Sequence, residues 1–163
     1  MIEIESRELA DIPVLHAYPV GQKDTPLPCV IFYHGFTSSS LVYSYFAVAL
    51  AQAGLRVIMP DAPDHGSRFS GDAARRLNQF WQILLQSMQE FTTLRAAIAE
   101  ENWLRDDRLA VGGASMGAMT ALGITARHPT VKCTASMMGS GYFTSLARSP
   151  VSYTHLRAHE TTL

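Results

Sequence analysis

Residues 109–127 read LAVGGASMGAMTALGITAR, and this stretch carries the strongest fold signal in the chain. Its first residues favour a short strand, and its later residues favour a helix that ends before Pro129. Between them lies the pattern Gly113-x-Ser115-x-Gly117, in which a serine occupies a sharp turn from strand to helix. Small flanking residues let the strand and the helix approach closely. Ser115 is therefore the candidate nucleophile, and the alternative is a serine that only caps the helix.

A second motif, His34-Gly35-Phe36, follows an apolar run over residues 29–33 that predicts a strand buried on both faces. A backbone N–H at the end of that strand can face the nucleophile across neighbouring parallel strands. We therefore expect the N–H groups of Phe36 and Met116 to stabilise an oxyanion. His34 resembles a catalytic base, but it lies on the oxyanion side, so the sequence favours a packing and hydrogen-bonding role for it.

The loop after the next predicted strand, PDAPDHGSR at residues 60–68, concentrates charged and turn-forming residues. Asp61, Asp64 and His65 invite interpretation as a metal site. Three adjacent loop residues rarely converge on one ion, and no distant ligand is evident in the sequence. We therefore expect no metal, and we interpret the loop as a turn network that shapes the wall of the cleft.

The remaining patterns place these motifs in a layered α/β domain. Loose alternation predicts half-buried strands near the N-terminus, and apolar spacing of three to four residues predicts helices. Strands are expected over residues 2–8, 14–20, 29–33, 55–60, 108–112 and 131–138, and helices over 43–53, 77–98 and 116–127. Two strands followed by strand–helix repeats indicate one mainly parallel sheet, with helices on both faces and an antiparallel start.

The composition fits a globular protein and excludes several function classes. Apolar residues make up 47% and charged residues 17% of the 163 positions, and the formal net charge is −1. The chain lacks the basic stripe that nucleic-acid binding requires, and no stretch reaches the length of a membrane span. The polar N-terminus lacks the features of a secretory signal, so we expect a cytoplasmic protein. Cys29 and Cys133 sit within apolar runs and are expected to be reduced and buried.

The three motifs occur in the order typical of the α/β-hydrolase fold. Over residues 1–148 the chain resembles the small bacterial carboxylesterases related to prolyl oligopeptidases and dienelactone hydrolases. This resemblance implies a serine esterase of short-chain acyl esters that needs no cofactor and binds a small-molecule ester. Neither nucleic acid nor a membrane is expected as a partner, and the oligomeric state stays open. The site residues that it implies are the nucleophile Ser115, the elbow glycines Gly113 and Gly117, and the oxyanion donors Phe36 and Met116.

Members of that fold place an acid and then a histidine after the nucleophile, and this chain lacks such a pair. Every aspartate precedes Ser115, and the single acid after it, Glu160, is followed by no histidine. His128 belongs to the end of a predicted helix. The acid and the base of the triad are therefore expected to be absent from the chain. The sheet is expected to be truncated after about the sixth strand, and the chain itself to be inactive.

The C-terminal tail matches neither a strand nor a helix that would continue this fold. The run VSYTHLRAHET at residues 151–161 is what a transposase sequencing adapter encodes when it is translated in one frame. We therefore interpret residues 149–163 as an artefactual tail, and everything before it as the N-terminal part of one domain. The alternative is a metal site formed by His155, His159 and Glu160, whose histidines have i and i+4 spacing.

Other functions stay open at this point. A thioesterase, or a hydrolase of acyl-peptides or lactones, has the same fold, because substrate choice lies in the pocket and the lid. A non-catalytic binding module on this scaffold would need no intact nucleophile turn, so the retained Gly113, Ser115 and Gly117 argue against it. A nucleotide-binding fold is disfavoured because no glycine-rich phosphate loop follows the first parallel strand.

Overall fold

The computed structural model describes residues 1–139, 141 and 147–148. The strands are β1 (Ile2–Leu9), β2 (Ile12–Pro19), β3 (Leu27–Tyr33), β4 (Arg56–Pro60), β5 (Leu104–Ala114) and β6 (Cys133–Met137). The helices are α1 (Ser44–Gln52), α2 (Ala73–Leu77), α3 (Phe80–Glu100) and α4 (Met116–Arg127), with a 3₁₀ turn at Gly66–Arg68. Both interpretations of the tail, including a metal site at His155, His159 and Glu160, lie outside the described residues.

The described strands form one sheet in the order β1-β2-β4-β3-β5-β6. β1 pairs antiparallel with β2, and β2 pairs antiparallel with β4. The pairs of β4 with β3, β3 with β5 and β5 with β6 are parallel. The prediction of a mainly parallel sheet with an antiparallel start is therefore confirmed. Sites in open α/β sheets form beyond the carboxyl ends of the parallel strands, and the three sequence motifs follow β3, β4 and β5 there.

Alternate residues of β3 show how the sheet is covered on both sides. Ile31 faces the larger apolar core, which α3 and α4 close with side chains such as Leu84 and Met119. Phe32 faces the smaller core on the other side, where it stacks on Phe46 of α1 with ring centroids 4.4 Å apart. The prediction that helices cover both faces is confirmed.

The long helical segment predicted over residues 77–98 is interrupted near its start. α2 ends at Leu77, and α3 begins at Phe80 after a break at Asn78 and Gln79. Leu77 still packs against the larger core, so the apolar spacing continues across the break and does not reveal it.

None of the helices in the described part of the chain combines the length and the hydropathy that crossing a bilayer requires.

The two cysteines differ, which corrects the expectation that both are buried. Cys29 is buried in β3, near the centre of the sheet, whereas Cys133 is exposed at the start of β6. Within the described residues β6 is an edge strand, because β5 alone pairs with it there. An apolar run predicts burial for a strand that has neighbours on both sides, and among the described strands β6 has a neighbour on one side only.

A buried cation lies at the start of β4. The guanidinium of Arg56, which is 0% exposed, donates to Nε2 of His16 at 2.7 Å and to the Thr25 carbonyl at 2.5 Å. Because a guanidinium can only donate, Nε2 accepts, and Nδ1 of His16 carries the proton that it donates to Glu5 at 2.8 Å. Trp103 stacks on His16 with ring centroids 4.1 Å apart. The network joins β1, β2 and β4 around a neutral His16.

The free energy of unfolding is expected to decrease as the pH is lowered from neutral, because His16 must stay neutral in this network. Burial lowers the pKa of His16 from 6.5 to about 4, although the hydrogen bond to Glu5 opposes the shift. Between these pH values the unfolded chain binds a proton that the folded chain does not, which removes up to about 3 kcal/mol of stability. Urea unfolding at about pH 7 and about pH 5 measures the loss. His16→Gln, which accepts from Arg56 without titrating, should have a shallower pH dependence, and equal slopes in both proteins would contradict this account.

Candidate active site

Ser115 lies at the junction of β5 and α4, in a backbone conformation that side-chain-bearing residues rarely adopt. Its φ of 56° and ψ of −118° fall outside the regions that L-residues favour. Such strain costs on the order of 1–3 kcal/mol and persists only where the surrounding structure imposes it. Ser115 occupies the N-cap position of α4, yet its hydroxyl makes no capping hydrogen bond. The alternative of a serine that only caps the helix is therefore wrong.

Gly113 and Gly117 allow the backbone of β3 to pass directly against the serine turn. A Cβ atom at Gly117 would overlap the Tyr33 carbonyl group and lie 2.6 Å from the carbonyl oxygen of His34. A Cβ atom at Gly113 would overlap the Gly117 backbone and lie 2.8 Å from the Tyr33 carbonyl oxygen. All of these neighbours are backbone atoms, which cannot rotate away. The close approach that the sequence predicts at both glycines is present.

Backbone hydrogen bonds hold the serine turn from both sides. The Ser115 N–H donates to the Met137 carbonyl of β6 at 2.8 Å, which continues the pairing of Ala114 with Met137. The Ser115 carbonyl accepts from the Met119 N–H at 3.1 Å, as α4 begins. β6 therefore anchors the strained residue. No local sequence pattern reveals this contribution, because it depends on which strands pair.

The turn that follows β3 lies against Ser115. A Cβ atom at Gly35 would be 3.7 Å from the Ser115 Cβ, which is van der Waals contact. Phe36 is buried, and its ring meets Phe80 of α3 edge-on with centroids 5.1 Å apart. As the first residue of α4, Met116 has an N–H without an intrahelical acceptor. The Phe36 N–H has no acceptor among the described residues either, so two free donors accompany the serine turn.

His34 is buried beside these turns, and both of its ring nitrogens are engaged. Nδ1 lies 2.7 Å from the Gly35 carbonyl oxygen, and Nε2 lies 3.0 Å from the Ala62 nitrogen. Burial lowers the pKa of His34 below its usual range, so the ring is neutral. Neither nitrogen is free to take a proton from Ser115. The expectation that His34 packs and hydrogen-bonds, rather than serving as a base, is confirmed.

Asp61 organises the loop after β4. Its carboxylate accepts from the Ser40 N–H at 3.0 Å, and from the N–H and the hydroxyl of Ser67 at 3.2 Å and 2.9 Å. Burial alone would raise the pKa of Asp61, but these hydrogen bonds hold it below its usual value, so the carboxylate is ionised. A Cβ atom at Gly66 would overlap this carboxylate, which explains the glycine. The loop is the turn network that its sequence predicts.

Two further side chains fasten the same loop to its surroundings. Arg68 donates to both carboxylate oxygens of Glu90 on α3 at 2.8 Å, and to the Asp61 carbonyl at 3.1 Å. Nε2 of His65 accepts from the Thr37 N–H at 2.7 Å, a contact that the sequence did not suggest. No group of His, Cys, Asp and Glu side chains in the described ranges is arranged to hold a metal ion. These contacts make the loop a rigid neighbour of the turn after β3.

The part of the chain that carries this geometry matches a known protein family. A family model described as serine aminopeptidase, S33, matches residues 24–155, which include all three motifs. The chain belongs to this family. The serine aminopeptidase match covers β3 to β6, whereas β1 and β2 precede it. It therefore contains Ser115, Phe36 and Met116 on the elements that position them.

Two curated proteins are similar to this member of the serine aminopeptidase family over most of its length. Esterase YjfP of Escherichia coli is 99% identical over 149 residues, which is 91% of this chain and 60% of that protein. YitV of Bacillus subtilis is 32% identical over 154 residues, which is 94% of this chain and 60% of that protein. The chain thus spans 60% of the length of both relatives.

A solved structure shows the same fold as the serine aminopeptidase family member described here. A dienelactone hydrolase-like promiscuous phosphotriesterase from metagenomic libraries aligns with a TM-score of 0.66 and 15% identity. The alignment covers 85% of this chain and 59% of that one. At this identity the likeness concerns the fold alone, and it confirms the predicted α/β-hydrolase architecture.

Proposed function

We propose that this fold is that of a serine carboxylesterase, which cleaves short-chain acyl esters through Ser115. The observation that carries the proposal is the strained φ of Ser115, which presents an uncapped hydroxyl at the N-terminus of α4. Strain of this kind clusters at sites where geometry serves chemistry. A protein that is 99% identical over 149 residues of the chain is named an esterase, which supports the choice of ester substrates. The activity is proposed for the fold when it is completed by an acid and a histidine.

The proposed reaction proceeds through an acyl-enzyme. Oγ of Ser115 attacks the ester carbonyl carbon while a histidine, oriented by an acid, takes the hydroxyl proton. The carbonyl oxygen becomes an oxyanion that accepts hydrogen bonds from the N–H groups of Phe36 and Met116. The positive end of the α4 dipole adds to this stabilisation. The intermediate expels the alcohol, which receives the proton, and water then hydrolyses the acyl-serine by the same steps.

Each of these roles is filled by a protein group, so the proposed reaction needs no cofactor and no metal. The proposed substrate is a small-molecule ester. Thioesters and lactones would react by the same steps. No contact within the described residues favours them over simple esters, so we propose the ester alone.

The proposal is tested by completing the fold. Residues 1–148 are joined to the part of the Escherichia coli esterase that follows the matched region, and hydrolysis of p-nitrophenyl acetate is measured. We expect turnover that Ser115→Ala lowers by about 10⁴-fold or more. Ser6→Ala, in β1, which β2, β4 and β3 separate from β5 in the sheet, is the matched control and should keep the activity. Turnover that survives Ser115→Ala would refute the proposal.

A fluorophosphonate probe distinguishes the esterase from a non-catalytic binding module. The probe reacts with activated serines and not with ordinary ones. The completed fold should be labelled at Ser115, and the label should vanish in Ser115→Ala. A completed fold that binds esters without hydrolysing them or reacting with the probe would favour the binding module.

A further inference from the structure

Two buried histidines connect the loop after β3 with the loop after β4 in both directions. His34, on the first loop, accepts through Nε2 from the N–H of Ala62 on the second at 3.0 Å. His65, on the second loop, accepts through Nε2 from the N–H of Thr37 on the first at 2.7 Å. The two ring centroids lie 5.2 Å apart. Each loop therefore holds the other through an imidazole.

Both imidazoles are neutral and carry their proton on Nδ1, because their partners allow no other arrangement. A backbone N–H only donates, so Nε2 accepts in each ring. A carbonyl oxygen only accepts, so Nδ1 of His34 donates to Gly35 at 2.7 Å, and Nδ1 of His65 donates to Pro63 at 2.8 Å. Burial lowers the pKa of both rings, to about 4 for His65. All four ring nitrogens are thus committed to backbone groups at neutral pH.

These bonds bracket the peptide unit that carries the Phe36 N–H. The Gly35 carbonyl accepts from Nδ1 of His34 at 2.7 Å and from the Ser38 N–H at 3.2 Å, and it belongs to the same planar unit as the Phe36 N–H. Fixing the carbonyl oxygen therefore fixes the plane, and with it the opposite direction in which the N–H points. The next peptide unit is held at its Thr37 N–H by His65. The Phe36 ring also packs on the His65 ring, with centroids 5.4 Å apart.

We propose that His34 and His65 are positioning residues that aim the Phe36 N–H at the oxyanion formed when Ser115 attacks its substrate. This inference rests on the proposed function and adds two side chains to that site. An oxyanion donor is effective because it is oriented before charge develops, so a peptide unit that could rotate would lose stabilisation. The histidines act through the backbone and take no proton from the substrate.

The first test compares two substitutions of His65 in this chain. His65→Gln keeps an acceptor near the place of Nε2, whereas His65→Leu removes the acceptor at similar volume. Hydrogen–deuterium exchange of the Thr37 amide should accelerate about tenfold or more in His65→Leu and stay close to wild type in His65→Gln. The amides of β1 and β2 report global unfolding. The matched control is His128→Leu, because the His128 ring packs on Phe91 rather than between the two loops. Unchanged Thr37 exchange in His65→Leu would overturn the proposal.

The second test separates positioning from folding. In the completed fold, His65→Leu should lower kcat about 10- to 100-fold with KM changed less than about twofold, and His65→Gln should recover most of the loss. An unchanged kcat in His65→Leu would overturn the positioning role even if Thr37 exchange increases. If the completed wild-type fold shows no Ser115-dependent turnover, the proposed function fails, and the role at the oxyanion fails with it. The exchange experiment would still report the hydrogen bonds independently.

Discussion

Replacing Gly117 with alanine is expected to destabilise the folded state by about 3 kcal/mol or more. The added Cβ would overlap the Tyr33 carbonyl group and press on the carbonyl oxygen of His34, and both are backbone groups. β3 cannot move aside, because it is hydrogen-bonded to β4 on one side and to β5 on the other. Urea unfolding followed by circular dichroism measures the loss of stability.

Gly141→Ala is the matched control for this substitution. Among the described residues, no atom lies within 4 Å of a Cβ built at Gly141, and its φ is not in the left-handed range. The free energy of unfolding should therefore change by less than about 1 kcal/mol in Gly141→Ala. If Gly117→Ala and wild type unfolded at the same urea concentration, the close passage of β3 against the serine turn would be wrong.

The 163-residue chain is expected to hydrolyse p-nitrophenyl acetate no faster than its own Ser115→Ala variant. A serine hydroxyl is a weak nucleophile without a base to take its proton. After Ser115 the sequence holds no acid that is followed by a histidine, and the nitrogens of His34 and His65 are committed to backbone partners. Loss of the base from a triad lowers kcat by roughly a millionfold, so the oxyanion donors alone should leave no Ser115-dependent rate above background.

The comparison uses equal concentrations of the two proteins, with the completed fold as the positive control. Absence of any difference between wild type and Ser115→Ala is the expected result. A clear Ser115-dependent turnover in the 163-residue chain would show that a base is recruited from elsewhere. That base would then have to come from residues outside the described part of the chain or from a second copy of it.

Local patterns predicted most elements, and the exceptions have specific causes. α4 is found at residues 116–127 as predicted, because the apolar spacing and Pro129 both mark its end. β5 starts at Leu104 rather than at 108, because Asp106 and Asp107, both at positive φ, form an irregularity in its pairing with β3. A local sequence pattern does not reveal such a bulge, because a bulge is visible only in the pairing of two strands.

The candidate site also has some features that the local sequence predicted and others that it did not. The pattern around Ser115 predicted the sharp turn and the need for both glycines, because strand, turn and helix are adjacent in sequence. It could not predict that Met137 anchors the Ser115 N–H or that His65 accepts from Thr37. These partners are 22 and 28 residues apart in sequence, and such pairs meet only after the strands have assembled.

The sequence by itself determined the fold class, the order of strands and helices, and the residue types at the serine turn. Apolar periodicity indicates which face of each element is buried, and glycine indicates where another backbone must approach closely. The tertiary structure alone decided that β3 lies between β4 and β5, that Cys133 is exposed, and that two imidazoles join the loops beside Ser115. The physical reason is that hydrogen-bond partners and burial at an edge depend on which distant segments pack together, and local composition does not encode that choice.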